Sequence, residues 1–307
     1  MQKKQSMTFL ALTVLSLVSS FFRPSEAKAA STSNKSQLYK NNKVVISSEQ
    51  NIKEEPTFGT SALVSRSTSL VDFKDGTKTD AVDYLLSPFV KTSLGTVTTK
   101  LAYSQNLKES NASAESKSDW ADAPVTFIAT PYKWLWSSPY VITLTPTVTA
   151  VVPLSQTSTR RDQLQTTLIT GISFGIIPDG IAPKHDGAWN LAIGITAGQA
   201  FHAYEENTVG TVLNKYISNQ TLNLGYTYKA ISLSAEYIHK SRWTYQGSTK
   251  EAFELSEELG YSINENFSMA LGHTNAGSAL KANGSESNID LVNENSSVVY
   301  VAMGLSF

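Results

Sequence analysis

The last eleven residues, Ser297 to Phe307, read S-V-V-Y-V-A-M-G-L-S-F. One alternate set, Val299, Val301, Met303, Leu305 and Phe307, is large and apolar; the other, Tyr300, Ala302, Gly304 and Ser306, is small or amphipathic. Successive side chains of an extended chain point to opposite faces, so this stretch is a β-strand with one apolar face. It ends on an aromatic residue, where the apolar face also ends.

Such a strand resembles the closing strand of Gram-negative outer-membrane β-barrel proteins. The resemblance implies that Tyr300, Leu305 and Phe307 form the signal read by the barrel assembly machinery, and that outer-membrane lipid surrounds the folded chain. The other end of the sequence agrees. Lys3 and Lys4 precede an apolar run from Met7 to Val18, and Ala27-Lys28-Ala29 is a small-x-small cleavage pattern. This is the pattern of a secretory signal peptide, residues 1–29. Its apolar run is shorter than the roughly 18–20 residues a membrane-spanning helix needs. The chain has no cysteine, hence no disulfide framework and no lipid-bearing N-terminal thiol.

Residues 1–29 hold Lys3, Lys4, Arg23 and Lys28 against Glu26, so the 25 basic and 26 acidic side chains of the full chain become 21 and 25, a net charge of −4. That balance offers nothing to nucleic acid. No linker interrupts the strand rhythm, so residues 57–307 read as one domain. A β-chain in a membrane must close on itself to satisfy every backbone group in lipid. The fold class expected is therefore all-β, a transmembrane antiparallel up-and-down barrel. Residues 30–56 precede it as a polar periplasmic arm, with a plug folded into the lumen as the sharper alternative.

Strands are expected over 57–71, 82–93, 96–108, 123–136, 140–153, 163–177, 189–204, 217–229, 231–242, 251–262, 266–276 and 296–307, about twelve in all. The connections at Leu94-Gly95, Ser137 to Pro139, Ala230 and Asn264 to Asn266 are tight. Those at Asp72 to Ala81, Glu109 to Asp122, Gln156 to Asp162, Tyr204 to Tyr216, Trp243 to Lys250 and Ala276 to Asn295 are longer and polar. Short turns on one side and long loops on the other mark an outer-membrane barrel, and an even strand count puts both termini in the periplasm. Pro178 to Ala188 breaks the rule, being long where a short turn is due.

Within strands, Trp189, Leu191, Ile193, Ile195, Ala197 and Phe201, with Gln199 as the exception, alternate with Asn190, Ala192, Gly194, Thr196, Gly198 and His202. A soluble β-sandwich alternates too. Aromatic placement separates the two readings. Trp134, Trp136, Tyr140, Trp189, Tyr228, Tyr261 and Phe267 lie beside the short turns, and Tyr103, Trp120, Trp243 and Tyr245 near the outer ends, as two girdles at the lipid–water boundaries. Glu257 falls on the lipid face by strict alternation, which suggests a bulge, a register error or a place near the outer rim.

Alternation points Asp83, Lys91, Lys100, Glu236, Lys240, Arg242, Glu254 and Glu258 inward. A barrel of this size lies between eight strands, filled by side chains, and sixteen, which leave an aqueous channel. The function expected is a passive, porin-like channel for small polar solutes. The alternative is a filled barrel whose outer loops present an interaction or adhesion surface. Because both signs of charge line the lumen, ion selectivity stays open.

The sequence holds one enzymatic candidate. Outer-membrane phospholipases carry a His-x-Ser pair on the outer wall with a polar residue orienting the imidazole, and His239-Lys240-Ser241 looks like that pair, with Gln220 as the orienting group. Arg242-Trp243 follow where that family continues Asn-Gly, so the resemblance rests on two residues. His273 has no serine beside it and reads as snorkelling. His185 with Asp186 is too small a set for a metal. Asn288, Asp290, Asn293 and Glu294 form a loop that calcium or water would fill. No cofactor is expected.

Overall fold

Period-two patterning closes into one antiparallel barrel. The structure, a computed structural model, describes residues 57–70, 80–107, 118–137, 140–178, 187–281, 286–293 and 296–307. The expected signal peptide and arm, His185, Asp186, Glu294 and most of the Pro178 to Ala188 connection lie outside these residues, as does the side chain of Trp136.

The strands are β1 (Phe58–Ser69), β2 (Asp80–Thr92), β3 (Gly95–Thr99 and Leu101–Asn106), β4 (Ser118–Trp120, Ala123–Ala129 and Tyr132–Ser137), β5 (Tyr140–Val152) and β6 (Leu164–Pro178). They continue with β7 (Ala188–His202), β8 (Asn214–Tyr228), β9 (Ile231–Thr244), β10 (Thr249–Ser262), β11 (Phe267–Ser278) and β12 (Ser297–Ser306). The pieces of β3 pair in order with those of β4, so each set counts as one strand. Pro131, which has no N–H to give a ladder, marks one break in β4. Each strand pairs with its neighbours in sequence, and β12 pairs with β1 to close the ring. The twelve strands expected are the twelve found.

The two chain ends of the barrel are tied together. Thr60 N–H donates to the Phe307 carbonyl (3.2 Å), and Phe307 N–H donates back to the Thr60 carbonyl (2.9 Å). That end carries the short turns. Lys229 adopts φ 52° in one of them. In another the Asn264 side-chain oxygen accepts from the N–H groups of Asn266 (2.9 Å) and Phe267 (2.8 Å).

The opposite end carries the long connections, with two corrections. The Trp243 to Lys250 gap is a tight turn: β9 runs to Thr244 and β10 begins at Thr249, with Gly247 at φ 81° and Thr244 Oγ1 accepting from Ser248 N–H (3.0 Å). The Glu109 to Asp122 gap shrinks because Ser118–Trp120 already pairs with β3.

Twelve strands about 4.8 Å apart and tilted by about 40° make a ring roughly 75 Å around and about 24 Å across, backbone to backbone. Its outer wall is apolar over β5 to β8, where Val148, Leu168, Phe174, Trp189, Ile193 and Leu222 are exposed. Trp134, Tyr140, Trp189, Tyr228 and Tyr261 ring the short-turn end. At the other end Tyr84, Tyr103 and Trp120 follow one another with ring centroids 6.4 and 5.3 Å apart. Tyr245 does not join this outer girdle. Its hydroxyl turns inward, donating to the Ala200 carbonyl (3.2 Å) and lying 3.4 Å from His202 Nδ1.

Candidate functional site

From Tyr216 onward, the register of β8 to β12 runs without a shift and places side chains on the inner face as Cα partners. Glu236 stands between Asn223 and Ser256, Lys240 between Asn219 and Ala252, Arg242 between Ile217 and Lys250, Glu254 between Ile238 and Ala276, and Glu258 between Ser234 and Gly272. On the far side, Asp83 stands between Ser65 and Ser104, and Lys91 opposite Thr96. Lys100 sits at the break in β3, its N–H donating to the Pro124 carbonyl (3.3 Å).

These groups are linked. Lys240 Nζ and Glu254 Oε2 form a buried ion pair. Arg242 donates to the Ser218 carbonyl (2.9 Å), the Ser241 carbonyl (2.9 Å) and Asn219 Oδ1 (2.8 Å). Ser104 donates to Asp83 Oδ1 (2.7 Å), and the Lys91 ammonium lies 5.6 Å from the centre of the Phe89 ring. Glu236 bonds to Asn223 and lies within electrostatic reach of Lys100, Lys240 and Glu254. The position of Lys100 is the informative one. β3 and β9 are six strands apart in a ring of twelve, so Lys100 and Glu236 stand on opposite walls of the lumen.

Between them, β4 sets Asp119 and Lys133 on the inner face near its two ends, and β5 to β7 carry no Asp, Glu, Lys or Arg inward. Thr126 and Thr149 share a hydrogen bond of 2.9 Å, and Thr145 with Ser173, Thr147 with Gly171, and Thr196 with Gly171 are register pairs on the inner face of β5 to β7.

Tyr300 has a role its sequence position did not announce. It points inward, and its hydroxyl donates to Glu258 Oε2 (2.7 Å), two strands away. The ring reaches there by crossing Gly272 on β11. A Cβ at Gly272 would lie 2.1 Å from Tyr300 Cζ, so only glycine leaves room. Leu305 and Phe307 stay outside and exposed.

The outer wall over β8 to β11 is polar in its upper part, which the sequence only hinted at. His239 Nε2 and Ser241 Oγ both lie 2.8 Å from the same atom, Glu251 Oε2. Gln220 is the Cα partner of His239 on β8. The serine therefore gives its proton to a carboxylate and not to imidazole, and Ser241 is buried. A serine nucleophile needs its hydroxyl bonded to its base and open to the substrate, and this geometry supplies neither. Glu251 was missed because the turn that sets it opposite Ser241 read as a longer loop.

Lower down, Glu257 points outward in an unbroken register, so neither a bulge nor a register error explains it. Its partner does. His273 on β11 is directly opposite, with Nδ1 2.8 Å from Glu257 Oε2. His273 is thus paired with a carboxylate and does not snorkel. Among the described residues no three His, Asp or Glu side chains converge on a metal position. Asn288 Nδ2 instead donates to the Ser278 carbonyl (3.1 Å), and the Asp290 carbonyl accepts from Asn275.

No family model and no curated protein matches the chain. Among solved structures, an outer-membrane channel of Pseudomonas putida F1 superposes with a TM-score of 0.52 at 12% identity, over 84% of this chain and 99% of that one. The KdgM porin reaches a TM-score of 0.37 at 10% identity, covering 80% and 99%. OccK8 (OprE) of Pseudomonas aeruginosa reaches 0.38 at 7% identity, covering 81% and 98%. The likeness to the Pseudomonas putida channel is one of fold: this chain is built as the outer-membrane β-barrel channels are.

Proposed function

We propose that the protein is an outer-membrane channel through which small polar solutes pass passively. The observation that carries this reading is the lumen's division: Lys100 and Glu236 stand on opposite walls, while threonine, serine and glycine predominate along the inner face of β5 to β7. A filled barrel would be expected to close its centre with large side chains from every strand. Here the charged bulk comes from β2, β3, β9 and β10, while the middle of β5 to β7 presents mostly threonine, serine, glycine and alanine. Outer-membrane lipid surrounds the apolar wall, and the barrel assembly machinery engages the strand that ends at Phe307.

The test is single-channel conductance of the protein in a planar bilayer, with and without residues 30–56. Steady openings are expected, with anion preference rising in Glu236→Gln and cation preference rising in Lys100→Met, because each change removes one sign from the same cross-section. A gain on deletion of 30–56 would identify the arm as a plug. Absence of conductance in both folded forms overturns the channel reading.

That outcome would favour the second reading, an interaction surface. Its support is the order of the outer rim. Asp122 Oδ1 accepts from Leu154 N–H (3.0 Å) and Ser155 N–H (3.0 Å). Thr208 N–H donates to the Arg161 carbonyl (3.0 Å), and Tyr245 N–H to the Leu213 carbonyl (3.1 Å). Successive loops are thus joined into one surface.

A further inference from the structure

Residues 286–293 of the last outer loop lie against the outside of the barrel. Phe253, Asn275 and Gly277 all face outward, since Leu255 with Asn275 and Phe253 with Gly277 are register pairs on the same face as Leu259 with Leu271. Yet Phe253 is 1% exposed and Asn275 is fully buried. The loop covers them. Asn275 Nδ2 donates to the Asp290 carbonyl (2.6 Å), and Ser296 Oγ donates to Asn275 Oδ1 (2.6 Å). Asn288 reaches the Ser278 carbonyl, and a Cβ on Gly277 would lie 4.0 Å from Asn288 Nδ2.

Height decides what surrounds this loop. The aromatic end of β11 is Phe267. An apolar band about 25 Å tall extends roughly ten residues up a strand rising 3.3 Å per residue at a tilt of about 40°, which brings its upper edge to about Gly277. Asn275 is below that edge, and so is the Asp290 backbone bonded to it. Asn288 and the Asp290 carbonyl are turned to the wall, while Ile289, Leu291 and Val292 are exposed, Leu291 by 69%, with the Asp290 side chain exposed among them. The Lys281–Glu286 ion pair (3.0 Å) lies at the other end of the loop, where Leu280 bridges Ser287.

We infer that residues 286–293 of the last outer loop form a flap immersed in the outer leaflet. Its inner side satisfies a polar strip of wall that lipid could not solvate, and its outer edge, Ile289, Leu291 and Val292, takes the place of that wall against acyl chains near the headgroup boundary. The inference rests on reading the barrel as membrane-embedded. It assigns the flap's partner as lipid.

The absence of cysteine makes the test clean. A nitroxide is attached to single cysteines in the full chain folded into phosphatidylcholine vesicles: Leu291→Cys and Val292→Cys on the flap, Leu259→Cys on the lower wall, and Val209→Cys, 73% exposed, in an outer loop. The readout is the ratio of collisions with oxygen, which partitions into lipid, to collisions with a water-soluble nickel chelate. Flap ratios near that of Leu259→Cys, and several-fold above that of Val209→Cys, are expected. Flap ratios equal to that of Val209→Cys, with Leu259→Cys still in lipid, overturn the flap alone. A water-like ratio at Leu259→Cys overturns the membrane reading itself. Spin–spin broadening at Leu291→Cys that disappears on dilution with unlabelled protein would place a second copy there, and overturns lipid as the partner.

Discussion

Glu257 and His273 show how a single side chain decides whether a charge is tolerable. They sit about six residues above Phe267, roughly 15 Å up a band about 25 Å tall, where an uncompensated charge on a lipid-facing wall is most costly. The hydrogen bond of 2.8 Å between them spares each from facing lipid alone. His273→Leu is therefore expected to destabilise the folded barrel by about 1–3 kcal/mol in urea titrations in vesicles. The double change with Glu257→Leu should recover most of that loss, because an apolar pair needs no partner. Tyr300 makes the complementary case on the inner face. Gly272→Val puts side-chain atoms where the ring must lie, and Tyr300→Phe removes only the bond to Glu258. Each is expected to cost about 1–3 kcal/mol, and a double-mutant cycle should show them to be coupled, since displacing the ring already breaks the bond.

Among the elements, the connection between β5 and β6 shows how a loop of polar residues holds one shape. Asp122, just before the second piece of β4, accepts from two backbone N–H groups at the start of this loop and from the Ser158 hydroxyl. Asp119 accepts from Gln156 N–H (3.0 Å). These bonds terminate β5 and seat the π-helical turn Thr157–Arg161. Asp122→Ala should leave the barrel's heat resistance intact, while amide exchange over 153–163 rises by one to two orders of magnitude, in line with about 1–3 kcal/mol of lost local stability. A drop in melting temperature of the whole barrel would show instead that this loop is part of the cooperative unit. β9 and β10 teach a different lesson. Their tight turn, closed by Thr244 and Gly247, sets Ser241 against Glu251, and so turns a two-residue resemblance to a lipid hydrolase into a serine bonded to a carboxylate.

For the whole molecule, closure by β1 and β12 turns a face pattern into an inside and an outside. Lys100 and Glu236 are 136 residues apart in sequence and opposite each other only because ten further strands complete the ring. The conductance experiment belongs at this scale. Reversing both charges together, Lys100→Glu with Glu236→Lys, should leave unitary conductance within about two-fold of the parent, while either reversal alone should shift ion preference strongly, because a lone pair of like charges across a narrow lumen repels one sign throughout.

The sequence by itself determined the architecture. Period two in Ser297 to Phe307 and in Trp189 to Phe201, tight turns alternating with polar loops, and an even strand count specify an antiparallel barrel, because each is a local property read from neighbouring residues. The inward position of Glu236, Lys240 and Glu254 follows from the same alternation. What only the tertiary structure decided is which of these side chains meet. The partner of Glu257 lies on the next strand, that of Tyr300 two strands away, and that of Lys100 across the lumen. Each depends on register and closure, which sum small geometric choices over many residues. The flap over Asn275 is of the same kind: its residues read as an ordinary outer loop, and only its contact with the wall places Leu291 beside lipid.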